Sequence, residues 1–333
     1  MKKIAPFLHK KRILDNKLHD FIPFIPLICY GIYKNGILPV WKQNSPIFTI
    51  LTPILFLAIG FLIGGLVDYF RCLQKKEKVT WKQTPLYGLI ISMTMPIQMN
   101  LILYAIILFF SLFLFRYFEE KFPRLSLSPL LFAETILLIF IVTTSISYEN
   151  ISEQNQLYFY TTLDRFFGQN IGGLASTSIF WMIISFLYLW FDDYYKKEIP
   201  ILMLMTYFIC ALISELFLPT GNVLITLLNP TILFSALFFA TNSKSSPYTT
   251  YGKCFFAILL GIIAWLSIRT FNLSTGIYFG ITLISLFVPG IDFFAYQLEK
   301  KTGSFVETQK PKKEKNLKTL KKEIELPKKI SEK

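Results

Sequence analysis

Histidine and cysteine are scarce in this chain of 333 residues. The two histidines, His9 and His19, both lie near the amino terminus, and the four cysteines stand far apart without a C-x-x-C pair. Iron–sulfur clusters and zinc sites need several thiolate or imidazole ligands that the chain can bring together. We therefore expect no metal centre built from this chain alone, and we interpret the cysteines as packing residues.

Charged residues are also few, at 17% of the chain, whereas 53% of its residues are hydrophobic and its mean hydropathy is +0.49. This composition excludes an ordinary soluble domain of this length and indicates a polytopic helical membrane protein. The first twenty residues are basic and show no small-residue cleavage site, so they do not indicate a cleaved signal peptide. The net charge of +13 fits basic cytoplasmic loops and a lipid bilayer as partner, and we expect no nucleic acid.

Ten apolar stretches are candidate transmembrane segments. They cover residues 21–33, 46–67, 85–97, 101–115, 129–147, 174–191, 199–218, 223–240, 254–268 and 275–296. We predict a transmembrane domain of residues 21–296, a basic cytoplasmic arm at 1–20 and a Lys/Glu-rich cytoplasmic tail at 297–333, which we expect to be disordered. Lys and Arg concentrate in alternate loops, which predicts that both termini face the cytoplasm.

Two carboxylates, Glu134 and Glu215, fall inside apolar stretches. Such residues are costly in hydrocarbon and are candidates for function. Loss of water favours the neutral acid, so either residue could carry a proton. Glu215 lies close to a predicted external surface, where water would reach it.

Helix-breaking residues recur at corresponding places in the two halves of the chain. Ser128-Pro129 follows the short third and fourth segments, and Asn229-Pro230 stands at a similar place in the second half. Five segments in each half would make the halves enter the membrane in opposite senses, as in an inverted repeat. The polar stretch 241–253 lies between two apolar segments, where irregular backbone can form a site. It can equally be an ordinary cytoplasmic loop.

Four short motifs carry a resemblance to a known family. They are FAT at 239–241, SP at 246–247, GK at 252–253 and PGID at 289–292. Their order and spacing resemble the C-terminal signature of the RnfD/NqrB family, which comprises membrane subunits of ion-translocating electron-transport complexes. Residues 168–173, GQNIGG, resemble the turn that leads into the sixth segment of that family.

The resemblance implies an all-α polytopic membrane fold of about ten transmembrane helices in two five-helix inverted repeats, similar to urea transporters. It also implies a subunit of an Rnf/Nqr-type complex in the bacterial inner membrane. Such a subunit would pass electrons by way of flavin, help to couple this to Na+ or H+ transport, and act with sister subunits that supply iron–sulfur centres. Any enzymatic activity would belong to the redox-driven translocase as a whole.

The family attaches FMN to the threonine of an S-G-A-T motif in the external loop before its sixth segment. This chain has no S-G-A-T, and the nearest hydroxyls are those of Thr162 and, second, Thr161. The resemblance therefore implies six candidate cofactor-binding residues: Thr162, Thr161, Asn170, Gly172, Thr241 and Pro247. Riboflavin is a second flavin that the resemblance allows. The alternative, in which both threonines are ordinary loop residues and flavin is absent, stays open.

The chain departs from the family where the family has the loop FGGLGQNxFNPA. The corresponding residues, 118–131, contain no glycine and no asparagine. Glycine allows close approach of backbone to a ligand, and its loss argues against a flavin there. A second hypothesis is therefore a flavin-free relative that acts as a small-solute channel or transporter, or as a scaffold of the complex. Glu134 stands where the family has arginine, so no family role carries over to it.

Overall fold

A computed structural model describes residues 21–43, 45–75, 83–122, 126–146, 148, 161–192, 195–217, 229–271 and 275–302. Every regular element within these ranges is a helix. The predicted arm 1–20, the tail beyond residue 302, and the predicted loop residues 149–160 and 219–222 lie outside the described residues.

A nearly continuous helical run opens the described chain. It consists of a 3-10 turn, Ile22–Phe24, helix α1, Ile25–Ile32, a π-helical turn, Tyr33–Ile37, and helix α2, Leu38–Gln43. The break predicted between the apolar segments 21–33 and 46–67 is therefore wrong over residues 34–43, which are helical. Lys34 and Asn35 remain in the helix because their buried side chains donate hydrogen bonds to backbone carbonyls far along the chain.

The remaining helices follow in chain order. They are α3, Leu51–Lys75, after a 3-10 turn at Ile47–Ile50; α4, Thr84–Thr94; α5, Leu101–Lys121; α6, Pro129–Thr144; α7, Thr162–Phe167; α8, Ile179–Trp190; α9, Glu198–Phe217; α10, Pro230–Phe234, continued by a π-helical turn, Ser235–Phe239; α11, Thr250–Phe271; and α12, Gly276–Thr302. In the described part of the chain, five helices are long and apolar enough to cross a membrane: α3, α5, α9, α11 and α12. The prediction of an all-α polytopic membrane protein is confirmed.

Four predicted crossings fall on shorter helices. Helices α4, α6 and α8 have 11, 16 and 12 residues, and α10 with its π-helical turn spans Pro230–Phe239. At about 1.5 Å per residue even α6 is only about 24 Å long, less than the roughly 30 Å hydrocarbon core. The first predicted crossing, 21–33, likewise falls on a run whose α-helix, α1, has 8 residues, so five of the ten predicted crossings lie outside the five long helices. Ten separate crossings therefore stay a prediction.

Helix α12 continues past the predicted end of the transmembrane domain at residue 296 and passes through Pro289 without a break. Proline has no N–H, so the carbonyl of Ser285 loses its helical donor. The hydroxyl of Ser126 donates to that carbonyl oxygen instead, at 2.5 Å. This contact from the segment before α6 replaces the missing bond and connects the two halves of the chain.

Helices α3 and α4 pack at very short distance through glycine. A Cβ on Gly88 would lie 2.0 Å from the carbonyl oxygen of Gly60, and a Cβ on Gly64 would lie 2.3 Å from that of Thr84. This agrees with the small residues that transmembrane helices place at close contacts. Helices α5 and α6 complete this group, α9, α11 and α12 form a second group, and α6 packs against α12.

Large apolar side chains cover the outside of the long helices. Leu62, Phe110 and Phe287 are each more than 60% exposed. Their outward position is expected for a surface that faces lipid rather than water.

Candidate functional site

The central seam is the name we use for residues 170–175, residues 93–95, Lys34 and Asn35. Residues 170–175 are not helical and lie between the end of α4 and the π-helical turn Tyr33–Ile37. The backbone N–H of Leu174 donates to the carbonyl of Met95, and that of Ala175 donates to the carbonyl of Met93, both at 2.9 Å. On the other side, the amide of Asn35 donates to the Leu174 carbonyl at 2.6 Å. Non-helical backbone is thereby satisfied inside the protein, as membrane depth requires.

Lys34 closes the seam from the π-helical turn. Its buried ammonium donates to the carbonyl oxygen of Asn170. The side-chain amide of Asn170 in turn donates to the carbonyl of Arg165 at 2.7 Å, which ties the seam to α7. π-Helical turns inside α-helices are frequently found at functional sites, and this one places a lysine in the interior.

Glycines set the spacing of the seam. A Cβ on Gly173 would lie 2.4 Å from the Thr94 carbonyl oxygen, so only glycine fits between the two backbones. A Cβ on Gly172, one of the predicted cofactor-binding residues, would lie 3.0 Å from Cγ2 of Thr177. The hydroxyl of Thr177 is buried and has no hydrogen-bond partner within the described ranges.

The two predicted attachment hydroxyls stand at the start of α7, just before the seam. Thr161 caps the helix: its hydroxyl accepts from the backbone N–H of Asp164 at 3.2 Å and donates to the Asp164 carboxylate at 2.6 Å. Thr162 is also exposed, and its hydroxyl forms no hydrogen bond with the described residues. Of the two, Thr162 therefore offers the more accessible hydroxyl.

Thr241 and Pro247 lie in a second cluster, whose hydrogen bonds share no residue with the central seam. The ammonium of Lys196 donates to the carbonyls of Ser246 and Pro247 at 2.8 and 2.9 Å and to the Ser246 hydroxyl at 2.6 Å. The Thr241 hydroxyl donates to the Leu237 carbonyl at 2.6 Å. The six predicted residues are thus divided between two places.

Lys196 is mostly enclosed by this cluster. Its ammonium also lies 4.3 Å from the centre of the Tyr248 ring. Burial lowers the pKa of Lys196 to about 7, and Lys253 adds to that effect, whereas Asp292 and Glu198 oppose it.

Asp292 explains the spacing of the C-terminal motifs. Its carboxylate accepts from the backbone N–H groups of Tyr248 and Thr249, each at 3.1 Å, and from the Thr249 hydroxyl at 2.7 Å. A Cβ on Gly252 would lie 3.0 Å from that carboxylate. The motifs at 246–253 and 289–292 therefore fix the loop before α11 against α12, which is a structural task.

A buried charged network was missed by the sequence analysis, which placed its members in polar loops. The carboxylate of Asp68 accepts from the Thr84 hydroxyl at 2.8 Å and lies 3.5 Å from the Arg116 guanidinium. Arg116 also donates to Glu119 at 2.7 Å, and Glu119 pairs with Lys244. The network joins α3, α4 and α5 to the loop at 241–249. The sequence did contain a signal of this network, because Asp68 and Arg116 each stand directly after an apolar stretch, 46–67 and 101–115.

Comparison with known proteins decides the family. The sequence pattern of the NQR2, RnfD, RnfE family matches residues 2–300. The chain belongs to this family. The motifs at 239–253 and 289–292 therefore predicted it correctly.

Two curated members of the RnfD type resemble part of the chain. Both are named as a subunit of the ion-translocating oxidoreductase complex. The protein of Pectobacterium atrosepticum is 29% identical over 135 residues, which cover 38% of this chain and 37% of the relative. That of Salmonella enteritidis is 28% identical over 130 residues, which cover 37% of each. The matched part thus spans 37% of the length of these relatives.

Proposed function

We propose that this chain is a membrane subunit of an ion-translocating electron-transport complex of the Rnf/Nqr type. The observation that carries the proposal is the family match over residues 2–300. The curated relatives are named as one subunit of an oxidoreductase complex, so the proposal includes sister subunits that supply the other redox centres. The coupled ion would be Na+ or H+, and the location the bacterial inner membrane.

The proposed topology is ten crossings in two inverted repeats, with both termini in the cytoplasm. Its support is that the short helices α6 and α10 begin alike. The Ser128 hydroxyl accepts from the N–H of Leu131 at 3.2 Å, and the Asn229 side chain accepts from that of Thr231 at 3.1 Å. Each cap is followed by proline at the first helical position. Interrupted helices at corresponding positions are typical of transporters built from inverted repeats.

The proposal places flavin at the start of α7. The exposed hydroxyl of Thr162 suits a phosphoester, and α7 is tied to the central seam through Asn170. At the other end of α7, the ring of Phe167 lies 5.5 Å from that of Phe180 between centroids. A flavin held at the start of α7 would supply electron-transfer chemistry, and the protein would contribute its attachment and orientation.

A second candidate function is a flavin-free relative that works as a solute channel or transporter, or as a scaffold. The observation that favours it lies at the place of the family's glycine-rich loop. There Glu119 forms ion pairs with Arg116 and Lys244, whereas the family has glycines, which allow close approach of a ligand. The two candidates agree on family and membrane and differ in flavin content.

The test of flavin is in-gel fluorescence after denaturing electrophoresis, with the full chain co-expressed with a flavin transferase. We expect a fluorescent band that is lost in Thr162→Ala and retained in Thr161→Ala, which removes the adjacent hydroxyl. If the wild type gives no band while the transferase modifies another substrate, covalent flavin is excluded. A band that disappears only in Thr161→Ala would move the attachment site by one residue.

The remaining parts of the proposal have separate tests. Tagged chain, isolated from cells that express the neighbouring genes, should bring down subunits that contain iron–sulfur centres. Recovery of the chain alone under conditions that preserve a control complex would favour the second candidate. Topology reporters at Lys196 and at Asn155 should report the cytoplasm and the outside, and a cytoplasmic signal at Asn155 would overturn the orientation.

A further inference from the structure

Glu134 is a buried acid to which neither candidate function assigns a role. It lies in the second turn of α6 and is 0% exposed. The hydroxyl of Thr94, at the end of α4, shares its one proton between the Ile91 carbonyl oxygen at 2.7 Å and Oε2 of Glu134 at 3.0 Å. Its other oxygen, Oε1, is buried and has no hydrogen-bond partner within the described ranges.

Two tyrosine hydroxyls near this acid are buried and likewise unpaired among the described residues. They belong to Tyr148, which follows α6, and to Tyr278 on α12. Both hydroxyls lie within electrostatic range of the Glu134 carboxylate. The pKa of Tyr148 is raised, first by burial and second by that carboxylate. Three buried oxygens, Oε1 of Glu134 and the two tyrosine hydroxyls, therefore have no hydrogen-bond partner among the described residues.

Among the described residues, no lysine or arginine forms an ion pair with Glu134, and Arg116 on α5 is paired with Asp68 and Glu119. Tyr104, also on α5, has its hydroxyl 2.7 Å from that of Ser92. An ionised carboxylate with one hydrogen bond and no counter-charge is costly in so dry a place. The neutral acid instead has one O–H that can be donated to a hydroxyl oxygen.

We propose that Glu134 is a proton-binding site that holds its proton in the folded protein. Its Oε1 is buried and has no hydrogen-bond partner within the described ranges, so this oxygen gains nothing from being charged. On release, the carboxyl becomes a carboxylate and water receives one H+. The site would serve the ion translocation proposed above, but proton binding itself does not depend on that proposal.

Infrared spectroscopy of the full purified chain tests the site without electron transport or sister subunits. At about pH 6 an exposed glutamate is ionised, because its ordinary pKa is about 4.3. A protonated-carboxyl C=O band at this pH must then come from a buried acid. We expect such a band in the wild type, its shift in D2O, and its loss in Glu134→Gln. The amide keeps the shape of the side chain and can still accept from Thr94.

Glu215→Gln is the matched control, because Glu215 also lies in an apolar helix but is partly exposed. It should leave the band unchanged. Thr94→Val covers the case in which Glu134→Gln does not fold: it keeps the acid and removes its hydrogen bond, so the band should move to higher wavenumber. The absence of the band in the wild type, its survival in Glu134→Gln, or no shift in Thr94→Val would overturn the proposal. A band present only without Na+ would assign the site to Na+ instead.

Discussion

Replacement of Gly88 by alanine tests the close packing of α3 and α4. The added Cβ would stand 2.0 Å from the carbonyl oxygen of Gly60. Carbon and oxygen approach without strain at about 3.3 Å, so the helices would have to move apart by about 1.3 Å. A gap of that size forfeits much of the dispersion energy between the facing atoms. Because the obstacle is backbone and not a flexible side chain, we expect a loss at the upper end of the usual range for overpacking, about 3 kcal/mol.

Gly290→Ala is the matched control, since the same chemical change is made in helix α12 with no atom within 4 Å of the new Cβ. Alanine in a helix interior is favoured over glycine by about 0.5–1 kcal/mol, so this variant should be slightly more stable. Melting in detergent can be followed with a thiol-reactive dye, because Cys72 on α3 is only 6% exposed and reacts when the helix is released. Gly88→Ala should melt clearly below the wild type and Gly290→Ala at or above it. Equal melting of Gly88→Ala and the wild type would show that α3 and α4 do not pack at this distance.

Three further predictions concern other parts of the chain. The pKa of Lys196 is about 7 in the folded protein and 10.5 ordinarily, so between pH 7 and pH 10.5 the folded state binds fewer protons than the unfolded state. The free energy of unfolding should therefore rise with pH across this range. Melting curves of Lys196→Met should lack that rise. Ser126→Ala should lower the free energy of unfolding by about 1–3 kcal/mol, because the Ser285 carbonyl loses its hydrogen bond. The double variant with Pro289→Ala should melt like the wild type again, because the backbone N–H of alanine can donate to that carbonyl. Truncation after Gln309 should leave expression and melting unchanged, since the tail has little apolar surface; a large loss would show that it docks.

The motifs predicted the family because the structure uses their spacing directly. Asp292 reaches the backbone at Tyr248 and Thr249, and Gly252 leaves room for it. A loop fixed in this way tolerates few changes in residue type or spacing. The Thr241 hydroxyl donates to the Leu237 carbonyl and the Pro247 carbonyl accepts from Lys196, and a contact of either residue with flavin stays a prediction.

Helix ends could not be predicted from apolarity. Apolar residues continue beyond Thr94, yet α4 ends there: Met95 precedes Pro96 and is extended, and the carbonyls of Met93 and Met95 accept from a distant segment. Charge was equally misleading for Lys34, which a charge-based prediction places in water. Its burial depends on the carbonyl of Asn170, and a partner so far along the chain leaves no local signal.

The central seam also bears on how the protein is made. The N–H groups of Leu174 and Ala175, which pair with the carbonyls at the end of α4, are synthesised roughly eighty residues later, and at about 5–20 residues per second that takes on the order of 4–16 s. During this interval the end of α4 must find water, lipid headgroups or the insertion machinery as a temporary partner. A ribosome that stalls between these two stretches would therefore leave the carbonyls of Met93 and Met95 without their final partners, although α4 itself has been synthesised.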